Sequence, residues 1–375
     1  MLFFLTLTQN CNLTCTYCGS DENYDDLEDI SVEQYELDTH PKEISYDLKL
    51  IEKLKLVKDD LAICFYGGEP LLKTRVIYKV MDMIPNAKFI FQTNATLLHT
   101  VKPEYLLKVD TILCSIDGTE ETTDRCRGKG THKKIMNNVK LIKERGYKGD
   151  IVARMTVSIE QKGHIYDDVM YLVNNGFDHV HWQIDALWDT PDSERMKGWT
   201  EWRDNNYNPG ITKLVAEFIK EARTGKVLPI APFTGCLWTM LKGEKVTGVR
   251  CASGLTSFNI TTGGHISTCP IAAEVECVSQ LTDHFDPEHI RNISKIGEPC
   301  TSCEIFGDCG GRCLYANENK WWGDQGFDEV CVTVKHLIKE LRDILPEIQE
   351  LIQKGVLTLE DFHYPTYNNS IEIIP

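Results

Sequence analysis

Short apolar runs alternate with stretches of helical period through the first 185 residues. Runs at Leu2–Thr8, Leu61–Tyr66, Lys88–Thr93, Thr111–Ile116, Ile151–Ser158 and His179–Asp185 have the length and make-up of buried strands. Between them the pattern predicts helices over Tyr46–Lys58, Thr74–Met83, Lys133–Arg145 and Ile165–Asn174, with Gly146 and Gly176 placed to end the last two in left-handed caps. Alternation of this kind specifies parallel β/α units. Six units fall short of a closed eight-fold barrel, so the predicted fold class is α/β, an open-sided partial (β/α)6 barrel. Ligands of parallel sheets collect at the carboxyl ends of the strands. The loop after the first strand, Gly67, Gly68, Asn94, Ser115 and Asp185 all fall at such ends.

From about Lys226 the alternation stops, and glycines, cysteines and short turns take over. We expect a barrel domain over 1–225, a small irregular α+β domain over 226–335, and a C-terminal helix and tail over 336–375. Val332–Lys354 reads as an amphipathic helix despite Pro346, with Leu337, Ile338, Leu341, Ile344 and Leu345 at helical spacings. It is expected to pack back onto the barrel.

A chain of 375 residues is long enough for two domains, since single cores seldom grow beyond about 250–300 residues. The net charge of −16 disfavours a nucleic-acid backbone or an anionic membrane as the main partner. Neither a long apolar span nor a basic leader with an apolar core is evident, so a cytoplasmic protein is expected. Fifteen cysteines in such a setting point to metal clusters before disulfides, in an oxygen-poor cell interior.

Cys11, Cys15 and Cys18 stand directly after the first strand, with gaps of three and two residues. Three thiolates so spaced hold three corners of a four-iron cube and leave the fourth iron open to a ligand. Zinc is disfavoured, because the nearest His is His40, beyond an acidic stretch. Gly67-Gly68-Glu69-Pro70 closes the second strand. Adjacent glycines let backbone approach a ligand closely, and a carboxylate suits an ammonium group. Together the two motifs resemble the radical S-adenosylmethionine (SAM) superfamily. The resemblance implies a cluster on Cys11, Cys15 and Cys18, SAM chelated at the open iron, and the Gly-Gly-Glu-Pro turn beside the SAM amino group.

Two more strand ends are similar to that family. Thr93-Asn94-Ala95-Thr96-Leu97-Leu98 resembles its Thr-Asn-Gly-Thr-Leu-Leu segment, but Ala95 replaces the Gly and argues against a positive φ there. Ser115-Ile116-Asp117-Gly118, with Asp124, Arg125, Arg127, Gly128 and Gly130 downstream, resembles its Ser-Ile-Asp-Gly and Arg-Gly segments. The implied SAM contacts are Tyr17, Gly67, Gly68, Glu69, Pro70, Asn94, Ser115, Arg127 and Gln183. Asp117 and Gly118 have a simpler reading as a turn, and Arg127 as the partner of a carboxylate. His181, Gln183 and Asp185 share one face of the sixth strand and are the cavity candidates for catalysis, if that face points inward.

Cys251, Cys269, the run Cys300-x2-Cys303-x5-Cys309-x3-Cys313, and Cys331 resemble the SPASM domain of peptide-modifying radical SAM enzymes. The resemblance implies two auxiliary 4Fe–4S clusters, three in all. Cys300, Cys303, Cys309 and Cys331 would hold the outer one, and Cys251, Cys269 and Cys313 the inner one. Its fourth ligand is open among Cys236, Cys277 and a substrate thiolate. Cys64, Cys114 and Cys126 read as buried small hydrophobes.

The resemblance implies an oxidoreductase that cleaves SAM reductively to a 5′-deoxyadenosyl radical and abstracts hydrogen from a peptide or protein. A ferredoxin or flavodoxin would be the reductant. Pro270 follows Cys269 where sulfatase-maturing members carry an Asp base, which favours a thioether or C–C cross-link over formylglycine. Epimerisation is the alternative within the class, and a non-enzymatic zinc or electron-transfer protein the alternative outside it. With its first strand at Leu2, the chain has no room for an N-terminal peptide-binding domain, so peptide recognition would fall to the barrel rim, the SPASM domain or a separate protein. The acidic stretch Asp21–Asp38 suits a basic peptide, or is a solvated loop. A Cys-containing substrate is the other expectation. Trp188, Trp199 and Trp202 either cover the cavity or pack amphipathic helices.

Overall fold

The computed structural model describes residues 1–18, 40–159, 165–185, 197–271, 277–320 and 323–373. The chain forms two compact units. One comprises Met1–Ile116, Thr123–Ile151 and Ala252–Lys295, the other Asp117–Thr122, Val152–Cys251 and Ile296–Pro375.

In the first unit, β1 (Leu2–Thr6), β2 (Ala62–Tyr66), β3 (Lys88–Thr93) and β4 (Thr111–Ser115) pair in parallel in chain order. On the other side β1 pairs in parallel with β7 (Ser257–Ile260), which continues antiparallel into β8 (His265–Ser267) and β9 (Cys277–Gln280). The runs in β1 to β4 are apolar at successive positions because both faces are covered; Phe3, Leu5, Ile63, Phe65, Phe91 and Ile112 are fully buried. In the second unit β5 (Asp150–Val157) pairs in parallel with β6 (His179–Ile184), with Arg154 opposite His181 and Thr156 opposite Gln183. These are the strands of an α/β partial barrel. Among the described residues no pairing closes them into a ring.

The helices Thr74–Met83 and Ile165–Asn174 have the expected limits, and Gly146 and Gly176 have φ of 87° and 93°. The segment expected as a helix over Tyr46–Lys58 is instead a 3-10 helix, Leu48–Leu56. Its apolar residues Leu48, Ile51 and Leu54 recur every three positions, which aligns them on one face of a three-residue turn but not of an α-helix. The C-terminal helix starts earlier than expected, at Gly323, and runs to Gln353, so Cys331 lies on it. Buried Phe327, Val330 and Val334 extend the apolar stripe toward the N-terminus. This helix packs on the helices Asn208–Ala222 and Ala231–Leu241 of the same unit. Trp199 and Trp202 are buried against each other, and Trp202 packs on Tyr207, so they are core residues. Trp188 and the acidic stretch lie outside the described residues.

Asp117 and Gly118 form a structural turn. Asp117 is fully buried and its Oδ1 accepts the Thr156 N–H at 3.0 Å. Gly118 has φ of 124°, and a Cβ there would lie 2.1 Å from Asp168 Oδ1, which accepts the Thr119 N–H. Gly118→Ala should therefore cost about 1–3 kcal/mol and lower the unfolding midpoint; an unchanged transition in urea would contradict this packing.

Candidate active site and cluster-binding cysteines

The segment carrying Cys11, Cys15 and Cys18 leaves β1 and is laced to the end of β2. The Leu7 N–H donates to Tyr66 O, Gly68 N–H to Thr8 O, and Glu69 N–H to Asn10 O, each at 2.9 Å. A Cβ on Gly67 would lie 2.3 Å from Thr8 O, and one on Gly68 2.4 Å from Asn10 O. The two glycines are thus required by the close approach of the cluster loop's own backbone. Cys11 and Cys18 are exposed and Cys15 half-buried.

Glu69 is fully buried and accepts three hydrogen bonds, from Leu71 N at 2.9 Å, Thr93 Oγ1 at 2.7 Å and Asn94 N at 2.8 Å. Burial raises its pKa, against the pull of these donors. Its carboxylate caps the 3-10 turn Pro70–Lys73, with Pro70 in the first position. It also fixes the backbone at the end of β3. There Asn94 Oδ1 accepts from Thr96 N at 3.0 Å, while its Nδ2 donates to Asn12 Oδ1 at 2.8 Å and faces Cys11 Sγ at 3.8 Å. Ala95 does adopt a positive φ, 59°, contrary to expectation. The turn is pinned despite the Cβ: Ala95 N donates to Thr93 Oγ1 at 3.0 Å, and Asn138 Nδ2 donates to the carbonyls of Ala95 and Thr96 at 2.8 and 2.9 Å.

Further along the loop, Thr16 N donates to Cys126 O at 2.9 Å, and the Arg127 guanidinium lies 5.4 Å from the centre of the Tyr17 ring. Arg127 is buried and Ser115 half-buried. Asp124 accepts the N–H groups of Gly130 and His132 at 2.6 and 2.8 Å, capping the helix Thr131–Glu144. Cys64, Cys114 and Cys126 are buried.

In the second unit Cys300, Cys303, Cys309 and Cys331 line one pocket with an empty volume of about 310 Å3, shared with Ile305, Phe306, Gly311, Arg312, Val334 and Lys335. Burial pushes the Cys300 thiol up to about 11 and the Cys309 thiol up to about 12. The Gly311 and Arg312 N–H groups oppose the rise at Cys309, and Asn317 Nδ2 donates to Cys300 Sγ at 3.5 Å. Sulfurs gathered on one pocket and met by N–H donors fit an iron–sulfur cluster. Among the described residues no three His, Cys, Asp or Glu side chains converge closely enough to hold a single metal ion. Cys251 and Cys313 belong to the same buried cluster as Cys300. Arg250 ties this region together: its Nε donates to the Asp308 carbonyl at 2.8 Å and its Nη1 to the Gly235 carbonyl at 3.2 Å, beside Cys309 and Cys236. Cys236 is fully buried within this second unit, whereas Cys269 and Cys277 belong to the first and are half-buried.

Residues 5–187 match the sequence profile of the radical SAM superfamily. The chain belongs to that superfamily. Its relatives include the radical SAM cyclopropyl synthase TigE of Paramaledivibacter caminithermalis, 24% identical over 90% of this chain and 73% of TigE. The cysteine-type anaerobic sulfatase-maturating enzyme of Clostridium novyi is also 24% identical, over 89% of this chain and 92% of the relative. Among solved structures, anSMEcpe with bound AdoMet superposes with a TM-score of 0.68 at 18% identity, covering 97% of this chain and 99% of that one. As a radical SAM enzyme the chain uses SAM and a 4Fe–4S cluster.

Sequence reasoning missed a buried polar group on the β5–β6 face of this radical SAM chain. Glu372 is 3% exposed and pairs with Arg154; its Oε1 accepts from Gln183 Nε2 at 3.0 Å, and its carbonyl lies 3.2 Å from His181 Nε2. The charge of Glu372 is also felt at Cys313. The structure thus joins His181 and Gln183 through the C-terminal segment, while Asp185 is half-buried and bonded through its N–H to Val157 O. The available signal was a lone carboxylate in the apolar run Ile371–Ile374. Asn138 gave a similar signal, as a polar residue in the buried stripe of Ile135, Val139 and Ile142.

Two outcomes are expected. Glu372→Ala leaves the Arg154 charge buried and should cost about 3–5 kcal/mol in chemical unfolding; a loss within about 0.5 kcal/mol would contradict the pairing. Burial, then the Arg154 charge, hold the His181 pKa well below its usual 6.5. A group so depressed contributes stability above pH 6.5 that is lost as pH falls below it. His181→Gln should flatten that acid limb in melts followed against pH, and an identical limb would contradict it.

Proposed function

We propose that this radical SAM chain modifies a peptide or protein oxidatively, forming a thioether or C–C cross-link with the help of two auxiliary 4Fe–4S clusters. The pocket lined by Cys300, Cys303, Cys309 and Cys331 carries this reading, because four cysteines on one pocket, in addition to Cys11, Cys15 and Cys18, suit a second cluster that accepts an electron. Cys11, Cys15 and Cys18 would hold the SAM cluster. Tyr17, Gly67, Gly68, Glu69, Pro70, Asn94, Ser115, Arg127 and Gln183 would meet SAM, with Glu69 also setting the Asn94 turn. Cys251, Cys269 and Cys313 would hold the inner auxiliary cluster, with Cys236 the preferred fourth ligand over Cys277 or a substrate thiolate. When bound, the cluster and SAM supply a 5′-deoxyadenosyl radical that takes a hydrogen atom from carbon.

The chain's own residues position and enclose. Glu69 and Asn94 hold the cluster loop, and the Arg154–Glu372–Gln183 group fixes the polar side chains of β5 and β6. The relative named a cyclopropyl synthase supports a bond-forming outcome. Pro270, where sulfatase-maturing members carry Asp, weighs against formylglycine, although a sulfatase-maturating enzyme is among the relatives. A peptide substrate is supported by the related structure of anSMEcpe holding a Cp18Cys peptide. We further propose three domains at 1–225, 226–335 and 336–375, a ferredoxin or flavodoxin as donor, and a cytoplasmic location. No described helix is long and apolar enough to cross a membrane.

Anaerobic reconstitution should yield about twelve irons per chain, and dithionite should drive SAM to 5′-deoxyadenosine. Cys15→Ala should abolish that cleavage while keeping about eight irons. Only about four irons in the unaltered chain would remove the auxiliary clusters from the account. For the reaction itself, mass spectrometry of product made in heavy water decides. Loss of two hydrogens supports a cross-link, and exchange with unchanged connectivity supports epimerisation.

A further inference from the structure

We propose that Arg312 is the charge partner of the cluster held by Cys300, Cys303, Cys309 and Cys331, a positioning residue that raises its reduction potential. The inference rests on the auxiliary-cluster reading above and adds a residue that supplies no ligand atom.

Arg312 lines the same pocket as the four cysteines and is 2% exposed. Its guanidinium lies 4.4 Å from the centre of the Phe327 ring, which supports the planar group from the face of the C-terminal helix. The pocket therefore holds a fixed cation among four sulfurs. Among the described residues of the lining, Lys335 is the other cationic one.

The local backbone gives a second, independent observation. Gly310, Gly311 and Arg312 are all left-handed, with φ of 80°, 93° and 64°. A Cβ on Gly310 would strike Gly248 O at 2.1 Å, and one on Gly311 would meet Ile296 Cγ2 at 2.7 Å, so packing explains those glycines. The third place holds an arginine, whose guanidinium lies over Phe327. Left-handed backbone is unfavourable for a side chain of that size, and Gly or Asn would hold the same turn with less strain. Strain retained next to a cluster ligand, Cys313, points to use of the side chain. Successive N–H groups in such a turn also form a concave anion site.

The electrostatics then follow. A four-thiolate iron–sulfur cluster is anionic and becomes more so when it gains an electron. A nearby fixed cation favours the reduced form, which raises the potential and makes the cluster a better acceptor.

The test uses the full chain and its Arg312→Gln and Arg312→Lys variants, each reconstituted without air. Iron is counted, folding is followed by circular dichroism, and the clusters are titrated under EPR, with dithionite supplying each electron and ferricyanide removing it. Arg312→Gln, with an unaltered dichroism spectrum, should shift one auxiliary midpoint to lower potential or lose the irons of one cluster. Arg312→Lys should recover most of that change. An Arg312→Gln chain with unchanged midpoints and iron overturns the proposal. So does an Arg312→Lys chain as impaired as the Gln variant, which would assign the residue to packing on Phe327. If the unaltered chain takes up only one cluster, the auxiliary-cluster reading itself fails, and the iron count separates that result from the others.

Discussion

The cluster loop depends on a backbone approach that only glycine permits. Gly67 and Gly68 lie against Thr8 and Asn10 with no room for a Cβ, and three backbone hydrogen bonds run along the same seam. This contact sets where the loop with Cys11, Cys15 and Cys18 leaves the sheet. Glu69, the next residue, extends the constraint inward by holding the end of β3, where Asn94 reaches back to Asn12 and Cys11. Two strand ends and the cluster loop therefore form one hydrogen-bonded piece. A cluster seated there would meet a surface that was ordered before it bound, which limits the reorganisation needed when SAM arrives.

The cysteine-rich part of the second unit solves a different problem. Burial disfavours ionisation of the Cys300 and Cys309 thiols, and nearby N–H groups and the Arg312 charge oppose that rise. Donors and fixed charges already surround them: Asn317 on Cys300, the Gly311 and Arg312 N–H groups near Cys309, and Arg250 on the carbonyl of Asp308. Asp308 in turn meets Lys245 at 3.2 Å and Arg342. These interactions hold the turn before Cys309 in place with few regular elements.

Much of this was legible because it follows from period and spacing. The β/α alternation located all six barrel strands to within two residues, and the four cysteines that the SPASM resemblance groups together share a pocket. Local readings failed where tertiary contacts overrode a residue's own preference. Ala95 is left-handed because Asn138, 43 residues along the chain, pins its turn together with the nearby Thr93. Leu48–Leu56 is a 3-10 helix because its buried side chains repeat by three. Glu372 was missed for a related reason: the apolar run around it marks the carboxylate as unusual, but its partners Arg154 and Gln183 lie about 200 residues away.

The account turns on an iron left without a protein ligand at the end of β1, available to the amino and carboxylate groups of SAM. Electron–nuclear double resonance on the reduced, reconstituted chain with SAM labelled by nitrogen-15 at its amino group tests this most directly. A nitrogen-15 coupling to the cluster spin, absent from a Cys15→Ala chain, is the predicted result. A reduced cluster with SAM present and no such coupling would contradict it.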